Sequence, residues 1–365
     1  MVNLRLMGSE STPIRFDVAP VHNALCSVCL LGQTDLGPIS SWVDRTSRDV
    51  PDRIRAATER ACGAVKYYRD GRYRDLGDWL NDFARVDPRE IAQIDARRAV
   101  IMGQRFLPIS EVPSASRLLS DREAYVALDV RLHEVHGKTP DAGEAGSRWD
   151  DLHAGSRYRD EVAATLEYLW THHLRDEWYA VRGTIEEAVD AFRSVPFQTG
   201  TTIERLKLIT DRDEFPQEWN PIIRDARQIV FVPSVHIGPY MLLFDFDGTT
   251  AWIVGHARVP EGSPVRSSAL DRSDLLIRLE ALSDEARLRI LEMAARDGEV
   301  TTQDVMNELS LSQSSASRHL TQLGATGLVH VDGSVRTKRY RINEARIRDV
   351  CTAIAALADR ATASG

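Results

Sequence analysis

Apolar residues recur at helical spacing through most of the first 195 positions. The segments 20–33 and 51–70 each predict one helix, and the second begins at a proline and ends near a glycine. The segment 156–195 predicts one or two long helices. Its expected buried stripe consists of Val162, Leu166, Leu169, Trp170 and Leu174. The N-terminal region is therefore expected to be mainly helical.

The pattern changes between positions 200 and 260. Four short runs are apolar and rich in β-branched or aromatic residues, with turn residues between them, and they predict strands. They are IERLKLI (203–209), QIVFVPSV (228–235), YMLLFDF (240–246) and TAWIVGHA (250–257). We expect them to form a small antiparallel β meander. The following stretch is rich in Pro, Gly and Ser, which indicates a linker, placed at 263–273 between an N-terminal domain (1–262) and a C-terminal domain (274–365).

The C-terminal domain has the most specific pattern. DLLIRLEALSDEARLRILEMAARDG predicts two helices that are separated near Ser283 and Asp284. TTQDVMNELSLSQSSASRHLTQLGATGLVHV then predicts a helix, a tight turn, a second helix and a strand. The buried stripe of that second helix is Ala316, Leu320 and Leu323. A hairpin around Asp332-Gly333 follows, with a basic outgoing strand, so the fold class is α+β with a C-terminal winged helix-turn-helix.

The other face of the second helix is polar and contains no acidic residue, which suits a helix that lies in the major groove of double-stranded DNA. We expect Gln313, Ser314 and Ser317 to face base edges. We expect Ser315, Arg318 and His319 to lie near phosphate or the groove wall. Ser312 is expected to cap the helix. On the wing, Arg336, Lys338 and Arg339 are expected to contact phosphates or the minor groove. The DNA-binding set is Ser312, Gln313, Ser314, Ser315, Ser317, Arg318, His319, Arg336, Lys338 and Arg339.

Charge supports this assignment locally. The chain carries a net charge of −8, yet positions 311–348 hold seven basic residues against two acidic ones. No apolar run is long enough for a membrane span, and the N-terminus lacks a signal pattern. Four cysteines are too few to suggest a disulfide framework, so a reducing cytoplasm is expected.

Positions 275–345 resemble the ArsR-type winged-helix repressors. The residues that carry the resemblance are LEALSDEARLRIL and LSQSSASRHLTQL, together with the basic hairpin SVRTKRYRIN. The resemblance implies a dimeric DNA-binding repressor without a catalytic site. Metal-sensing members use cysteines before the recognition helix or His and acids on the last helix. Here EVTTQDVMNEL has no cysteine and the last helix has Cys351 alone, so no metal or cofactor is predicted.

The last helix carries apolar residues with the 3–4 spacing of a packing seam, namely Ile347, Val350, Ile354, Leu357 and Ala361. The seam suits packing on its own domain or, as the resemblance implies, pairing with a second copy across a two-fold axis. A symmetric dimer implies a palindromic operator. The region 1–262 resembles a domain of unknown function that precedes such heads, through IRFDVAPVHNAL and RQIVFVPSVHIGPYMLLFD.

An enzyme with a fused DNA-binding tail is the alternative. Asp245, Asp247, Gly248 and Thr249 spell D-x-D-G-T, which resembles the nucleophile motif of haloacid-dehalogenase phosphatases. Only about 25 residues follow before the winged helix, too few for the further βα units such an enzyme needs. We therefore predict a hairpin with a type I′ turn at Asp247-Gly248.

Three histidine-bearing stretches are candidate ligand sites. His22, Cys26 and Cys29 have the residue types of a zinc site, but their apolar surroundings favour core packing. RLHEVHG (131–137) lacks the spacing of a zinc protease, and WTHHLRDEW (170–178) suits surface and half-buried histidines. The helix at 166–179 is expected either to line an apolar pocket for an unknown small-molecule effector or simply to form core.

Overall fold

The computed structural model describes residues 12–33, 39–68, 73–135, 139–197, 199–332 and 338–363. The N-terminal region is mainly helical, as predicted. Its helices are α1 Pro20–Leu31, α2 Ser41–Asp49, α3 Asp52–Cys62, α4 Leu76–Phe83, α5 Pro88–Phe106, α6 Ala115–Ser120, α7 Arg122–Val135, α8 Ala142–His153, α9 Arg157–Leu169, α10 Arg175–Arg193, α11 Thr202–Thr210 and α12 Trp219–Asp225. Short 3₁₀ turns lie at Gly63–Tyr67 and Ile109–Glu111, and a π-helical turn, Trp170–Leu174, joins α9 to α10. In the described ranges, no helix combines the length and apolarity that crossing a bilayer requires.

A four-stranded sheet lies inside these helices. Its strands are β1 Ile14–Phe16, β2 Gln228–Ser234, β3 Leu242–Asp245 and β4 Thr250–His256, in the order β1-β2-β4-β3. β2 pairs in parallel with both β1 and β4, and only β3 runs antiparallel, at the edge beside β4. The predicted antiparallel meander is corrected in this respect. The run Ile229–Val232 is apolar at every position, which is typical of a central parallel strand rather than of a strand with one wet face.

Successive residues of β2 and β4 enter two different cores. Val230 and Trp252 point into the larger core with α1, α3 and α4, whereas Ile229 and Ile253 point into the core formed with α11 and α12. This alternation follows from the two-residue period of a strand. Helices therefore cover both faces of the sheet, and the predicted stripe along 156–195 is buried in the larger core.

The segment 203–209 is helical, which makes the strand prediction for IERLKLI wrong. Thr201 caps α11, and its side chain and that of Glu204 form a reciprocal capping box. Leu206 and Ile209 then recur at helical spacing and are fully buried. The capping signal, which specifies a helix start, outweighs the β-propensity of the isoleucines.

The D-x-D-G-T stretch is a hairpin between β3 and β4, as predicted. Gly248 has φ +77, but Asp247 is not in the left-handed region, so the turn is not type I′ as expected. Asp245 is buried, forms an ion pair with Arg105, and accepts a hydrogen bond from the Gly248 amide at 2.8 Å. Arg105 also donates to the Gly248 carbonyl at 2.9 Å. The carboxylate that a phosphatase would use as its nucleophile thus closes the turn.

The set considered for zinc is separated by the fold. Cys29 and Cys62 are joined by a disulfide between α1 and α3, which the cysteine count did not anticipate. Cys26 is fully buried, and burial raises the pKa of its thiol. His22 is also buried and stacks on Trp252, with 3.9 Å between the ring centroids. Among the residues with a described position, no three His, Cys, Asp or Glu side chains are grouped to hold a metal ion.

Of the other two histidine stretches, 170–178 is described throughout and 131–137 only as far as Val135. His133 lies on α7, and its Nδ1 is 2.8 Å from the Asp129 carbonyl, whereas His136 lies outside the described residues. His172 is exposed on the π-helical turn and His173 is half-buried.

The C-terminal elements are α13 Ser268–Leu282, α14 Glu285–Asp297, β5 Val300–Thr301, α15 Thr302–Leu309, α16 Gln313–Ala325, β6 Val329–Asp332, β7 Arg339–Ile342 and α17 Glu344–Ala363. The three strands form an antiparallel sheet in the order β5-β7-β6. Residues of α14, α15, α16 and this sheet enclose a separate apolar core, which includes Ala316, Leu320 and Leu323 as predicted. We call this unit the head.

The first helix of the head starts inside the segment predicted as a linker. Ser267 caps α13, and Leu270, within the predicted linker 263–273, is fully buried. Leu270 packs with Ala188 of α10 and with Ala257 just after β4. The mostly polar composition of 259–274 suggested a linker, but Leu270 lies in the first turn of a capped helix and packs against the N-terminal region.

Candidate nucleic-acid interface

Helix caps set the geometry of the helix-turn-helix. Thr301 and Asp304 form a capping box that starts α15. Ser310 ends α15 in a left-handed conformation, with φ 53. Ser312 then caps α16 by accepting a hydrogen bond from the Ser315 amide at 3.2 Å. The short turn 310–312 therefore follows from local side-chain chemistry that the sequence already displays.

A buried arginine fixes α16 to the preceding helices. Arg287 of α14 donates to the side-chain oxygen of Gln322 on α16 at 2.8 Å. The same guanidinium donates to the carbonyls of Glu280 and Ala281 on α13, at 2.9 and 2.5 Å. Gln322 is itself buried. Because a planar guanidinium satisfies several acceptors in a fixed geometry, it sets the position of α16 relative to α13 and α14.

The predicted DNA-contacting residues of α16 share one polar surface. Gln313, Ser314, Ser317 and Arg318 are exposed, and Ser315 is half-buried. His319 differs, since its ring is mostly covered and its Nδ1 lies 3.6 Å from Asp284. Burial lowers the pKa of His319, so this residue is neutral near pH 7. The N-terminal half of α16 thus presents an exposed surface without acidic residues.

The wing is the hairpin of β6 and β7, paired from Val329↔Ile342 to Asp332↔Arg339. Its described cations already have partners within the chain. Arg339 forms an ion pair with Glu299, and Lys338 lies 3.6 Å from Glu214. Arg336, predicted to contact DNA, lies outside the described residues.

An acidic segment of the N-terminal region, 211–214, lies against the wing and the start of the last helix. Asp213 is 3.3 Å from His330 on β6, and Glu214 is the partner of Lys338. Asp211 forms an ion pair with Arg346 on α17. Sequence reasoning missed this contact because the partners lie more than 100 positions apart. The segment reads D-R-D-E, and its three acids were the available signal.

The last helix is divided between packing and exposure. Val350 is buried and Ile347 packs against the core of the head, whereas Ile354 is 43% exposed. Leu276 on α13, a helix that contacts α17, is 52% exposed. The side chains of Leu357 and Ala361 lie outside the described residues. Each of the two helices α13 and α17 thus has a large apolar side chain exposed.

A buried hydrogen-bonded chain joins Ser27, His236 and Glu177. The Ser27 hydroxyl is 2.8 Å from Nδ1 of His236, whose Nε2 is 3.0 Å from Glu177. Such a serine–histidine–carboxylate order is found in hydrolases. Here Ser27 is buried on α1 and also donates to the Asn23 carbonyl. The adjoining cavity of about 10 Å³ is no larger than one water needs. This chain therefore connects α1, α10 and the end of β2 without space for a substrate.

That cavity also bears on the helix at 166–179, which was expected to line an effector pocket or to form core. Leu174 and Trp178 border the 10 Å³ space, and both are buried in the larger core. The burial of Leu174 and Trp178 agrees with the alternative that this helix forms part of the core rather than an effector pocket. Larger spaces occur where the N-terminal region meets the head.

Comparison with known proteins agrees with this geometry. Residues 284–331 match the family described as "Bacterial regulatory protein, arsR family". The chain is similar to "Transcriptional activator HlyU" of Vibrio cholerae serotype O1 (strain ATCC 39315 / El Tor Inaba N16961), with 29% identity over 90 residues. That alignment covers 24% of this chain and 82% of the relative. No solved structure matches significantly. The head is thus an arsR-family helix-turn-helix domain, and the large N-terminal region is additional to it.

Proposed function

We propose that this protein is a sequence-specific DNA-binding transcriptional regulator that acts as a symmetric dimer and is restrained by its own N-terminal region. The observation that carries the proposal is the exposed, acid-free N-terminal half of α16 on an arsR-family head. Such a surface suits hydrogen bonding to base edges in the major groove.

In the proposed complex, Gln313, Ser314 and Ser317 contact base edges, and Ser315 and Arg318 lie at the groove wall. His319 is proposed to make at most a peripheral contact with DNA. Its side chain is mostly covered, and its Nδ1 already lies near Asp284. Selection of bound genomic fragments by the full-length protein identifies the operator. Replacing Gln313 with alanine should then change sequence preference at one position by about 1–3 kcal/mol.

A matched control is Gln303→Ala, which removes an exposed glutamine from the preceding helix, α15. Competition binding with single-base operator variants measures the preference of each protein. Gln303→Ala should keep the parental preference. If Gln313→Ala also discriminates between operator and scrambled DNA as the parent does, the proposed orientation of α16 is wrong.

Lys338 and Arg339 are proposed to exchange their carboxylate partners for DNA phosphates. Arg336, two positions before Lys338 in the sequence, is proposed to contact phosphate as well. A dimer that makes six to ten phosphate contacts loses roughly 10³–10⁵ in affinity between 50 and 200 mM salt. Neutralising Lys338 and Arg339 should flatten that salt dependence and leave the order of preferred sequences intact. An unchanged slope would remove these two residues from the interface.

The dimer is proposed to form through α17 and α13, where Ile354 and Leu276 are exposed. Two heads related by a two-fold axis would read half-sites about one helical turn apart, roughly 10–10.5 base pairs. Sedimentation of the parent and of Ile354→Asp tests this. The variant should be monomeric and bind a palindromic site more weakly. A parent that is monomeric at micromolar concentration and on DNA contradicts the dimer.

The acidic segment 211–214 is proposed to restrain the head. Its carboxylates engage Lys338, His330 and Arg346, so DNA phosphates must compete with them for the wing. Exposed ion pairs contribute about 0–1 kcal/mol each. The combined variant Asp211→Asn, Asp213→Asn, Glu214→Gln should therefore bind the operator roughly tenfold more tightly, equivalent to about 1.4 kcal/mol.

Removing any acid also reduces long-range repulsion of DNA, so a control is needed. Glu218→Gln removes an exposed carboxylate from the same part of the chain. If operator affinity rises by the same factor per charge removed in the combined variant and in Glu218→Gln, the segment does not restrain the head. We propose repression as the regulatory outcome, as the family resemblance implies, although the matched relative carries the name of an activator. A promoter-fusion reporter with and without the protein measures the sign.

A further inference from the structure

A small cavity of about 40 Å³ lies where the N-terminal region meets α13. Its wall combines Arg212, His256 and Arg258 of the N-terminal region with Asp274 and Arg278 of α13. One water needs roughly 10–15 Å³ of such space, so the cavity holds about three waters or one small oxyanion. The same arginines also line a wider cleft of about 1810 Å³, which gives access from solvent.

The two carboxylates of the cavity wall are already engaged. Asp274 forms an ion pair with Arg278, four residues later on the same helix. Asp211 forms an ion pair with Arg346 of α17, at the edge of the wider cleft. Neither carboxylate is left to neutralise a further guanidinium at close range.

Among the described residues, the hydrogen bonds of Arg212 and Arg258 go to carbonyls, and the Arg258 guanidinium also lies over the Phe192 ring, 5.7 Å from its centroid. Arg212 donates to the Pro239 carbonyl, and Arg258 donates to the carbonyls of Leu208 and Ile209, each at 3.1 Å. Within the described part of the chain, no carboxylate lies within 4.0 Å of either guanidinium. Burial lowers the pKa of Arg212 to about 10 and also lowers that of Arg258, so both remain charged near pH 7. Asp211 offsets both charges at longer range, and Asp274 also offsets that of Arg258. Neither arginine has a carboxylate in direct contact among the described residues, so each can still engage an anion.

The cavity also holds polar atoms without a hydrogen-bond partner. They are both ring nitrogens of His256 and Nε of Arg278. The nearest carboxylate oxygen to His256 is that of Asp274, at 3.9 Å, beyond hydrogen-bond reach. Burial lowers the pKa of His256 to about 4. The carboxylate of Asp274 opposes this shift, and the charges of three arginines add to it, namely Arg258, Arg278 and Arg212. Near pH 7 the neutral His256 ring offers one donor and one acceptor nitrogen, and Nε of Arg278 offers a second donor. Since buried polar groups are nearly always hydrogen-bonded, these atoms suit a polar ligand with its solvating water.

We propose that this cavity binds the oxyanion group, phosphate or carboxylate, of a small-molecule effector between Arg212 and Arg258 on one side and Arg278 on the other. Arginine forks suit the paired oxygens of both groups. The regulatory part of the inference rests on the proposed function. An anion that bridges the N-terminal region and α13 stabilises the arrangement in which Glu214 engages Lys338, so its binding lowers operator affinity.

Titration calorimetry of the full-length protein tests the site without DNA. The probes are inorganic phosphate and succinate, in a chloride buffer of constant ionic strength. We expect saturable binding of at least one probe, with one site per chain. The probe that binds more tightly identifies the preferred group. Arg278→Gln removes a charged hydrogen-bond donor and should therefore weaken probe binding about 10- to 100-fold.

Arg272→Gln is the matched control, because Arg272 is exposed on the same helix and outside the cavity. It should bind the probes as the parent does. Arg212→Gln tests the opposite wall and serves as the second variant if Arg278→Gln does not fold by circular dichroism. Absence of saturable binding at millimolar concentration, or parental affinity in a folded Arg278→Gln or Arg212→Gln variant, overturns the site.

The regulatory part has its own measurement. Operator affinity is determined with and without the probe that binds, at matched ionic strength, in the parent and in Arg278→Gln. The probe should weaken operator binding by the parent only. Binding of the probe without any change in operator affinity overturns the regulatory part and leaves the site. Operator binding without any probe binding overturns the site and leaves the proposed DNA-binding function.

Discussion

The ion pair between Arg105 and Asp245 gives a sharp test, because the same carboxylate is the nucleophile in the phosphatase alternative. Both side chains are almost fully covered, with 6% and 2% of their surfaces exposed. Asn at position 245 keeps an oxygen for the Gly248 amide and loses only the charge. Removing one partner of a buried pair costs about 3–5 kcal/mol. Asp225 lies 3.7 Å from Arg105 and compensates in part, so we expect a loss near 3 kcal/mol.

Such a loss is large against the roughly 5–15 kcal/mol that stabilises a typical folded protein. Urea unfolding followed by circular dichroism measures it as a lower midpoint at unchanged slope. Arg105→Met should cost a similar amount. The double variant should lose less than the sum of the two single losses, by about 0.5–3 kcal/mol, because neither charge is then left without its partner.

Asp247→Asn is the control, since Asp247 is exposed and its oxygen accepts from the amides of Thr249 and Thr250, which Asn also allows. It should cost less than about 1 kcal/mol. Equal losses for Asp245→Asn and Asp247→Asn, or additive losses in the double variant, would refute the structural role. A phosphatase activity that disappears in a folded Asp245→Asn protein would revive the catalytic alternative.

Two further outcomes follow from buried groups. Burial and a nearby positive charge lower the pKa of His22 to about 3, so the unfolded chain gains a proton below pH 6.5 that the folded chain does not bind. The free energy of unfolding should therefore fall as the pH falls from 6.5 towards 3, and this residue should account for about 2 kcal/mol of the loss at pH 5. His22→Phe should remove that loss, whereas the control His172→Phe, on the exposed turn, should not. A Cβ at Gly238 would lie 2.1 Å from the Ile39 carbonyl oxygen at φ +58, whereas one at Gly262, with φ +82, would meet nothing within 4 Å. Calorimetric melting should show Gly238→Ala more destabilised than Gly262→Ala, and equal losses would mean that the clash is relieved by movement.

The head was predictable because its signals are local. The caps at Thr301 and Ser312 and the stripe Ala316, Leu320 and Leu323 lie within a few residues of the structure they specify. Helix starts could thus be predicted from local capping residues. The prediction was wrong at 203–209, where a capping signal and β-propensity favoured different structures.

Long-range pairing was not predictable in this way. β1 pairs with β2 across more than 200 positions, and no local pattern specifies that partner. The arginines of the junction cavity, Arg212, Arg258 and Arg278, come from three separated segments and are unremarkable in a chain rich in arginine. Such sites depend on how helices pack, so they become visible only in three dimensions.

Leu270 holds the N-terminal region and the head together at their boundary. Because α13 belongs to the head while Leu270 is buried between Ala188 and Ala257, the head is fastened by its own first turn. Pulling the two parts apart exposes an apolar side chain, at roughly 1.5–3 kcal/mol. Because the two parts belong to one chain, this free energy favours the closed junction, and Leu270→Ala should make the irregular stretch just before α13 easier to cut in limited proteolysis.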